Sequence, residues 1–195
     1  KNLLVSVCKE LGYEPIFEII VYLRPQFELV ESRYHTHLMS GGTLTFKKFR
    51  SNCHLGNDYY NYEVLLRRWR KVFGVTAVHP RQFGKPLLFG GDVRTDFVTY
   101  LQLPRAGLAD FSKSLNQSLS SMGLRALRQV NWVIPRKLAD HRPNPTWGKI
   151  YTLIKRIFGK GRPQLLKYDD RVRIEREFMA SNHAAGIKFA FTDDD

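Results

Sequence analysis

The distribution of apolar residues predicts an α/β chain in which a small parallel sheet is flanked by helices. Ile19-Ile20-Val21-Tyr22-Leu23 is an unbroken run of β-branched and aromatic residues, the pattern of a strand buried on both faces in a helix-covered parallel sheet. That run stands between two helical patterns, Leu4, Val7 and Leu11 before it and Phe27, Val30, Tyr34 and Leu38 after it. Helix, short loop, strand, helix is the order of a βαβ protein rather than of a small basic DNA-binding module. A further helical stripe ends at Gly74 and leads into a short apolar run, 75–78, which reads as a second strand.

From the amino terminus, residues 1–12 read as the end of a helix with Leu4, Val7 and Leu11 on one face and Gly12 as its stop. Residues 13–17, with Pro15, connect it to the strand. Arg24 ends that strand in a charge, at the carboxyl end where open α/β sheets place their ligands, and Pro25 presets the turn into the next helix. There Phe27, Val30, Tyr34 and Leu38 form one apolar stripe, and Ser32 lies off it. After Ser40-Gly41-Gly42-Thr43, either Thr45 or Thr43 caps a short helix with Phe46 and Phe49 inward. Asp58 begins a helix whose stripe of Tyr62, Leu65, Leu66, Trp69, Val72 and Phe73 reads as core, with Arg67, Arg68, Arg70 and Lys71 on its flanks.

Beyond 75–78, Arg81 to Gly91 reads as a loop, and Asp92 caps a helix with Val93, Phe97 and Leu101 inward. Asp92 and Asp96, four apart, suit capping and surface placement better than an acid/base pair. Ser120 or Ser121 caps a helix that buries Leu124, Leu127 and Val130. Trp147, Ile150, Tyr151, Ile154, Ile157 and Phe158 mark another, closed by Gly159. Asp169 and Asp170 open a last helix pair with Val172, Ile174 and Phe178 inside, and Asp193-Asp194-Asp195 reads as a frayed tail.

Composition narrows the class. A length of 195 residues suits a single domain, 1–195, and 43% hydrophobic with 13% aromatic residues argues for a folded chain over a disordered one. No apolar run approaches the roughly 20 residues of a membrane span, and no signal peptide is visible, so the expected compartment is the cytoplasm. Cys8 and Cys53 have no partner motif, which leaves a disulfide framework or a zinc site without support, and no metal is expected. The net charge of +13 favours anionic partners without saying which anion. Its densest part is 136–173, with eleven Lys or Arg against three Asp, interleaved with aromatic residues. Such a surface suits single-stranded nucleic acid or an acidic sugar chain, or is simply a helix with a solvated flank.

Arg24 and Ser32 are the residues with chemistry to offer. A guanidinium presents a planar fork of donors suited to phosphate, and a hydroxyl eight positions on, in the following helix, suits the same anion. An arginine paired to an acid, beside an ordinary helix serine, is the structural alternative. At these two positions, with the words Ile-Val-Tyr-Leu-Arg and Glu-Ser-Arg-Tyr, the chain resembles the sulfotransferases that use 3′-phosphoadenosine 5′-phosphosulfate, in their bacterial form. Later phrases continue the resemblance in the same order. They are Tyr62-x-x-Leu65-Leu66-x-x-Trp69-x-x-x-Phe73-Gly74, then Gly91-Asp92-x-x-x-Asp96-Phe97, then Asn116-Gln117-Ser118-Leu119-Ser120. The last is Asp170-Arg171-Val172-Arg173-Ile174-x-x-x-Phe178-x-x-Ser181-Asn182, followed by Ala184, Ala185 and Phe189.

The resemblance implies a P-loop-like sulfotransferase fold, a nucleotide co-substrate whose 3′-phosphate Arg24 and Ser32 bind, and transfer of a sulfuryl group to a hydroxyl or amine. Given the basic flanks, the implied acceptor is a carbohydrate or another anionic molecule. It also implies a glycine-rich, lysine-bearing loop for the 5′-phosphosulfate. Neither Gly41-Gly42 nor Gly90-Gly91 has the preceding strand and the lysine that such a loop requires, so the loop and the general base are expected before Lys1, in a domain incomplete at its amino-terminal side. Catalytic residues are therefore unassigned, with His35 and His37, on the helix of Ser32, as candidates for a base. A basic polyanion- or nucleic-acid-binding module without catalysis is the alternative function, and a kinase-like nucleotide-dependent transferase is a third. Oligomeric state is left open.

Overall fold

The computed structural model describes residues 1–104, 118–159, 161 and 163–189. The Asn116 and Gln117 positions of the fourth phrase, Lys160 and Arg162 of the basic stretch, and the acidic tail lie outside them. The chain is mixed α/β and divides into two compact units. One, the sheet unit, comprises Lys1–Pro25, His54–Ala106 and Arg176–Asp195; the other, the helical unit, comprises Gln26–Cys53 and Gly107–Glu175.

In the sheet unit, β1 (Ile19–Leu23) pairs in parallel with β2 (Val78–Gln82), in a register running from Ile19 opposite Val78 to Leu23 opposite Gln82. The second strand therefore starts where it was expected to end. Residues 75–77 form a turn, and Arg81 and Gln82, expected in a loop, belong to the ladder. Pro80 explains the misreading: it cannot donate to a ladder, and it fits here because β2 has one partner strand among the described residues. The same two-stranded sheet corrects the burial expected of β1. Only Leu23 is fully buried, and the other four residues are half-buried, since one neighbouring strand covers only part of the chain.

Helix α1 (Asn2–Glu10) forms as expected, with Gly12 at φ +78° behind it, yet buries nothing; Leu4, Val7 and Leu11 are all exposed. Helix α2 (Gln26–Met39) and short helix α3 (Phe46–Arg50) belong to the helical unit. Helix α4 (Tyr62–Phe73) starts four residues later than Asp58, because Asn61 is its cap and accepts from the Val64 N–H at 3.3 Å. Asp58 instead pairs with Arg68. The expected core stripe is narrower than it reads: Tyr62 and Leu66 are buried, whereas Trp69 and Val72 are exposed. Helix α5 (Val93–Tyr100) is capped by Asp92, which accepts from the N–H groups of Arg94 and Thr95. Here the expected faces are reversed, for Phe97 is exposed and Asp96 is 2% exposed.

In the helical unit the four apolar residues of α2, Phe27, Val30, Tyr34 and Leu38, are all buried as expected. Thr45 caps α3, Ser120 caps α6 (Ser121–Val133), and Asn144, followed by Pro145, caps α7 (Pro145–Phe158). Helix α6 packs on α7, where Leu124, Leu127, Trp147 and Ile154 are buried and Gly123 is so close to Phe158 that a Cβ would meet its side chain at 2.6 Å. A neutral polar residue sits inside this apolar packing. Asn131 donates through Nδ2 to the carbonyls of Leu38 (2.8 Å) and Gly42 (2.7 Å), and its Oδ1 accepts from the Trp147 indole N–H at 2.8 Å. One amide thus pins the end of α2 to α6 and α7, with its own donor nitrogen and the Trp147 indole N–H both paired. Glu31, also buried, accepts from the N–H groups of Leu165 and Leu166 at 2.7 and 2.8 Å. The last helix, α8 (Tyr168–Ala184), is one continuous helix rather than the expected pair, and the division between units falls within it.

Candidate functional site

Parallel pairing brings the carboxyl ends of β1 and β2 to one edge of the sheet. The ladder continues one step past its last pair, where the Phe83 N–H donates to the Leu23 carbonyl at 2.6 Å. Arg24 and Phe83 are thereby neighbours, and the guanidinium carbon of Arg24 lies 4.3 Å from the centre of the Phe83 ring. That is a cation–π contact. The Arg24 backbone is held from the other side, its carbonyl accepting from the hydroxyl of buried Tyr62 on α4 at 2.7 Å.

A guanidinium that stacks on a ring does so by its face, an arrangement that leaves the N–H donors around its edge pointing in the plane. Among the described residues no carboxylate pairs with Arg24, and the structural alternative of an arginine neutralised by an acid does not form there. The contrast with Arg81, at the same strand edge, is direct. Arg81 donates through Nε and Nη2 to both oxygens of Asp96 at 2.8 and 2.7 Å and lies 4.6 Å from the Tyr100 ring. One arginine is committed to structure, and the other keeps its donors.

Asp96 also accepts from the Tyr22 hydroxyl at 2.6 Å and the Phe89 N–H at 3.0 Å. Burial opposes its ionisation, but the Arg81 fork, the Phe89 N–H and the Tyr22 hydroxyl outweigh it and hold its pKa down to about 2. Burial and the bond to Asp96 push the Tyr22 hydroxyl up to about 12. Asp96 is therefore a charged anchor for β1, β2 and the segment before α5, a role hidden in the sequence because an acid four residues after a cap reads as surface.

The remaining candidates belong to the helical unit. Ser32 is exposed in α2, off the apolar stripe as its spacing predicts. His35 and His37 are half-buried, and the Nε2 atom of each is shut from solvent without a hydrogen-bond partner among the described residues. Desolvation lowers the pKa of both, favouring the neutral rings. His37 packs beside Phe49, with ring centres 5.1 Å apart, and against Gly42, where a Cβ would stand 2.1 Å from its Nε2. Gly41, at φ +91°, and Gly42 close the end of α2, their N–H groups bonding to the carbonyls of Leu38 and His37. That glycine pair is a helix stop covering a histidine, with no phosphate loop around it.

Charge is divided unevenly. The helical unit holds 18 Lys and Arg against 7 Asp and Glu, and the sheet unit 13 against 11, so +11 of the net +13 lies in the former. Arg50 and Arg173 pair with Asp170, and Arg142 with Asp140. Arg125, Lys137, Lys149, Lys155 and Arg156 are exposed, as is Trp132. Among the described residues no group of His, Cys, Asp or Glu is placed to hold a metal ion, and no helix is long and apolar enough to cross a membrane.

No family model matches the chain, and no solved structure matches it. It is similar to an uncharacterized protein of Archaeoglobus fulgidus, with 22% identity over 169 residues covering 86% of this chain and 44% of the relative. The chain thus spans less than half the length of the curated relative it matches.

Proposed function

We propose that this chain is part of a sulfotransferase of P-loop-like fold that moves a sulfuryl group from 3′-phosphoadenosine 5′-phosphosulfate to a hydroxyl or amine, with a carbohydrate as the acceptor class. The single observation that supports this most is Arg24, standing at the carboxyl end of a parallel strand with its guanidinium carbon over the Phe83 ring and no acid paired with it among the described residues. Such a group suits a phosphate dianion. Arg24 and Ser32 are the residues assigned to the 3′-phosphate, an assignment that rests on the ordered sequence phrases and on the spacing of eight residues. In the reaction the bond between sulfur and the acceptor atom forms as that between sulfur and the 5′-phosphate oxygen breaks, and the acceptor's proton passes to a general base. The products are the sulfated acceptor and 3′-phosphoadenosine 5′-phosphate.

Calorimetric titration with 3′-phosphoadenosine 5′-phosphate beside 5′-AMP tests the reading. The bisphosphate is expected to bind much more tightly, and Arg24→Ala to remove about 2–3 kcal/mol of its binding while leaving 5′-AMP nearly unchanged. Equal affinity for the two nucleotides in the unmodified chain would sink the proposal.

A second reading, a polyanion-binding module without catalysis, is favoured by one observation, the +11 carried by the helical unit. It predicts steeply salt-dependent binding of a heparin oligosaccharide together with indifference to the nucleotide 3′-phosphate.

A further inference from the structure

We infer that Phe83 is a positioning residue for the nucleotide 3′-phosphate, acting through Arg24 by holding the guanidinium flat so that its donor edge faces the anion. This rests on the sulfotransferase reading and adds to it a residue that touches neither sulfur nor acceptor.

The argument is geometric. An arginine side chain loses rotamer entropy when it is fixed on a ligand. Here the backbone of Arg24 is fixed by the Tyr62 hydroxyl at 2.7 Å, and its terminal group by the Phe83 ring at 4.3 Å. Phe83 is itself held by its own N–H on the Leu23 carbonyl at 2.6 Å, one step beyond the pairing of Leu23 with Gln82. The side chain flanking Phe83 is tied down as well, since the Gln82 amide donates to the Lys188 carbonyl at 2.8 Å. A rigid platform under a cation with no carboxylate on it orders the fork before an anion arrives, which lowers the cost of binding. The ring uses only the cation's face, so platform and phosphate do not compete. Neighbouring Arg81 shows the other outcome: it also stacks, on Tyr100, but its fork is closed by Asp96.

The test is titration of the unmodified chain, Phe83→Leu, Phe83→Met and Phe83→Tyr with 3′-phosphoadenosine 5′-phosphate and with 5′-AMP. The readout is the ratio of the two affinities, which a general loosening of the strand end would not move selectively. Loss of the platform is expected to cut that ratio about threefold to tenfold in Phe83→Leu, with 5′-AMP affinity retained, whereas Phe83→Tyr keeps the ratio. Phe83→Met carries the same readout if the leucine variant does not fold. A preference for the bisphosphate that survives unchanged in the leucine or methionine variant overturns the role of Phe83 and leaves the sulfotransferase reading standing. No preference in the unmodified chain overturns both.

Discussion

The sheet unit is anchored on a charge, the helical unit on a neutral amide. Asp96 offers only lone pairs, so everything gathered on it must donate: Tyr22, both nitrogens of the Arg81 fork and the Phe89 N–H. Asn131 offers both signs, so it joins two carbonyls to one indole N–H. Each solves the same problem, that a buried polar group costs free energy unless its hydrogen bonds are made. The two solutions answer differently to acid. A carboxylate contributes only while it is ionised, and a carboxamide does not titrate.

That contrast can be broken most forcefully at the charged anchor. Asp96→Ala leaves Arg81, Tyr22 and the Phe89 N–H without their acceptor and should destabilise the protein by about 3 kcal/mol in a denaturant melt at neutral pH. The folded pKa of Asp96 is depressed to about 2, so its contribution is present above the ordinary carboxylate value near 3.8 and fades as pH falls from there through 2. The penalty of the alanine variant should shrink in step, and a penalty as large at pH 2 as at pH 7 would contradict the assignment. Next in size, Asn131→Ala should cost about 2 kcal/mol, from an unsatisfied indole N–H and the loss of the bonds to the Leu38 and Gly42 carbonyls, with the same penalty at pH 7 and pH 4. A penalty that varied across that range would show that the amide is coupled to a titrating group.

The smallest effect should come from His37. Burial lowers its folded pKa, so the unfolded chain binds the proton more readily, and stability falls as pH drops through the ordinary histidine value near 6.5. His37→Phe keeps a ring beside Phe49 and removes the titration. The slope of melting temperature between pH 7 and pH 5 should flatten in that variant, and an unchanged slope would clear His37 of any part in it.

What the sequence discloses of this molecule follows the range of the interaction concerned. The strand Ile19–Leu23, the apolar stripe of α2, and the caps at Thr45, Asp92 and Ser120 are local patterns, and all are present where the residues put them. The second strand lies further along than its apolar run because Pro80 and the polar side chains of Arg81 and Gln82 disguise a ladder that has a single partner among the described residues. Asp96 and Asn131 were illegible for another reason. Each is a polar residue on a helix whose partners come from distant segments, and nothing nearby distinguishes such an acid or amide from a solvated one. The candidate site divides in the same way. Arg24 could be singled out from the end of its strand, but Phe83 gains its meaning only from the register that sets it beside Arg24. The burial of Trp69 and Val72 was overread from periodicity alone, which marks a face without saying whether anything covers it.

The wiring of Asn131 also bears on how this protein ages. Hydrolytic loss of ammonia would turn its carboxamide into a carboxylate of nearly the same shape, with no volume change to announce the damage. The replacement would turn one oxygen toward the carbonyls of Leu38 and Gly42 where the two N–H groups of a single nitrogen now stand, exchanging attraction for repulsion at both. Deamidation at this one position would therefore act as a latent lesion, and an aged preparation that keeps its mass within a dalton could still lose the joint between α2, α6 and α7.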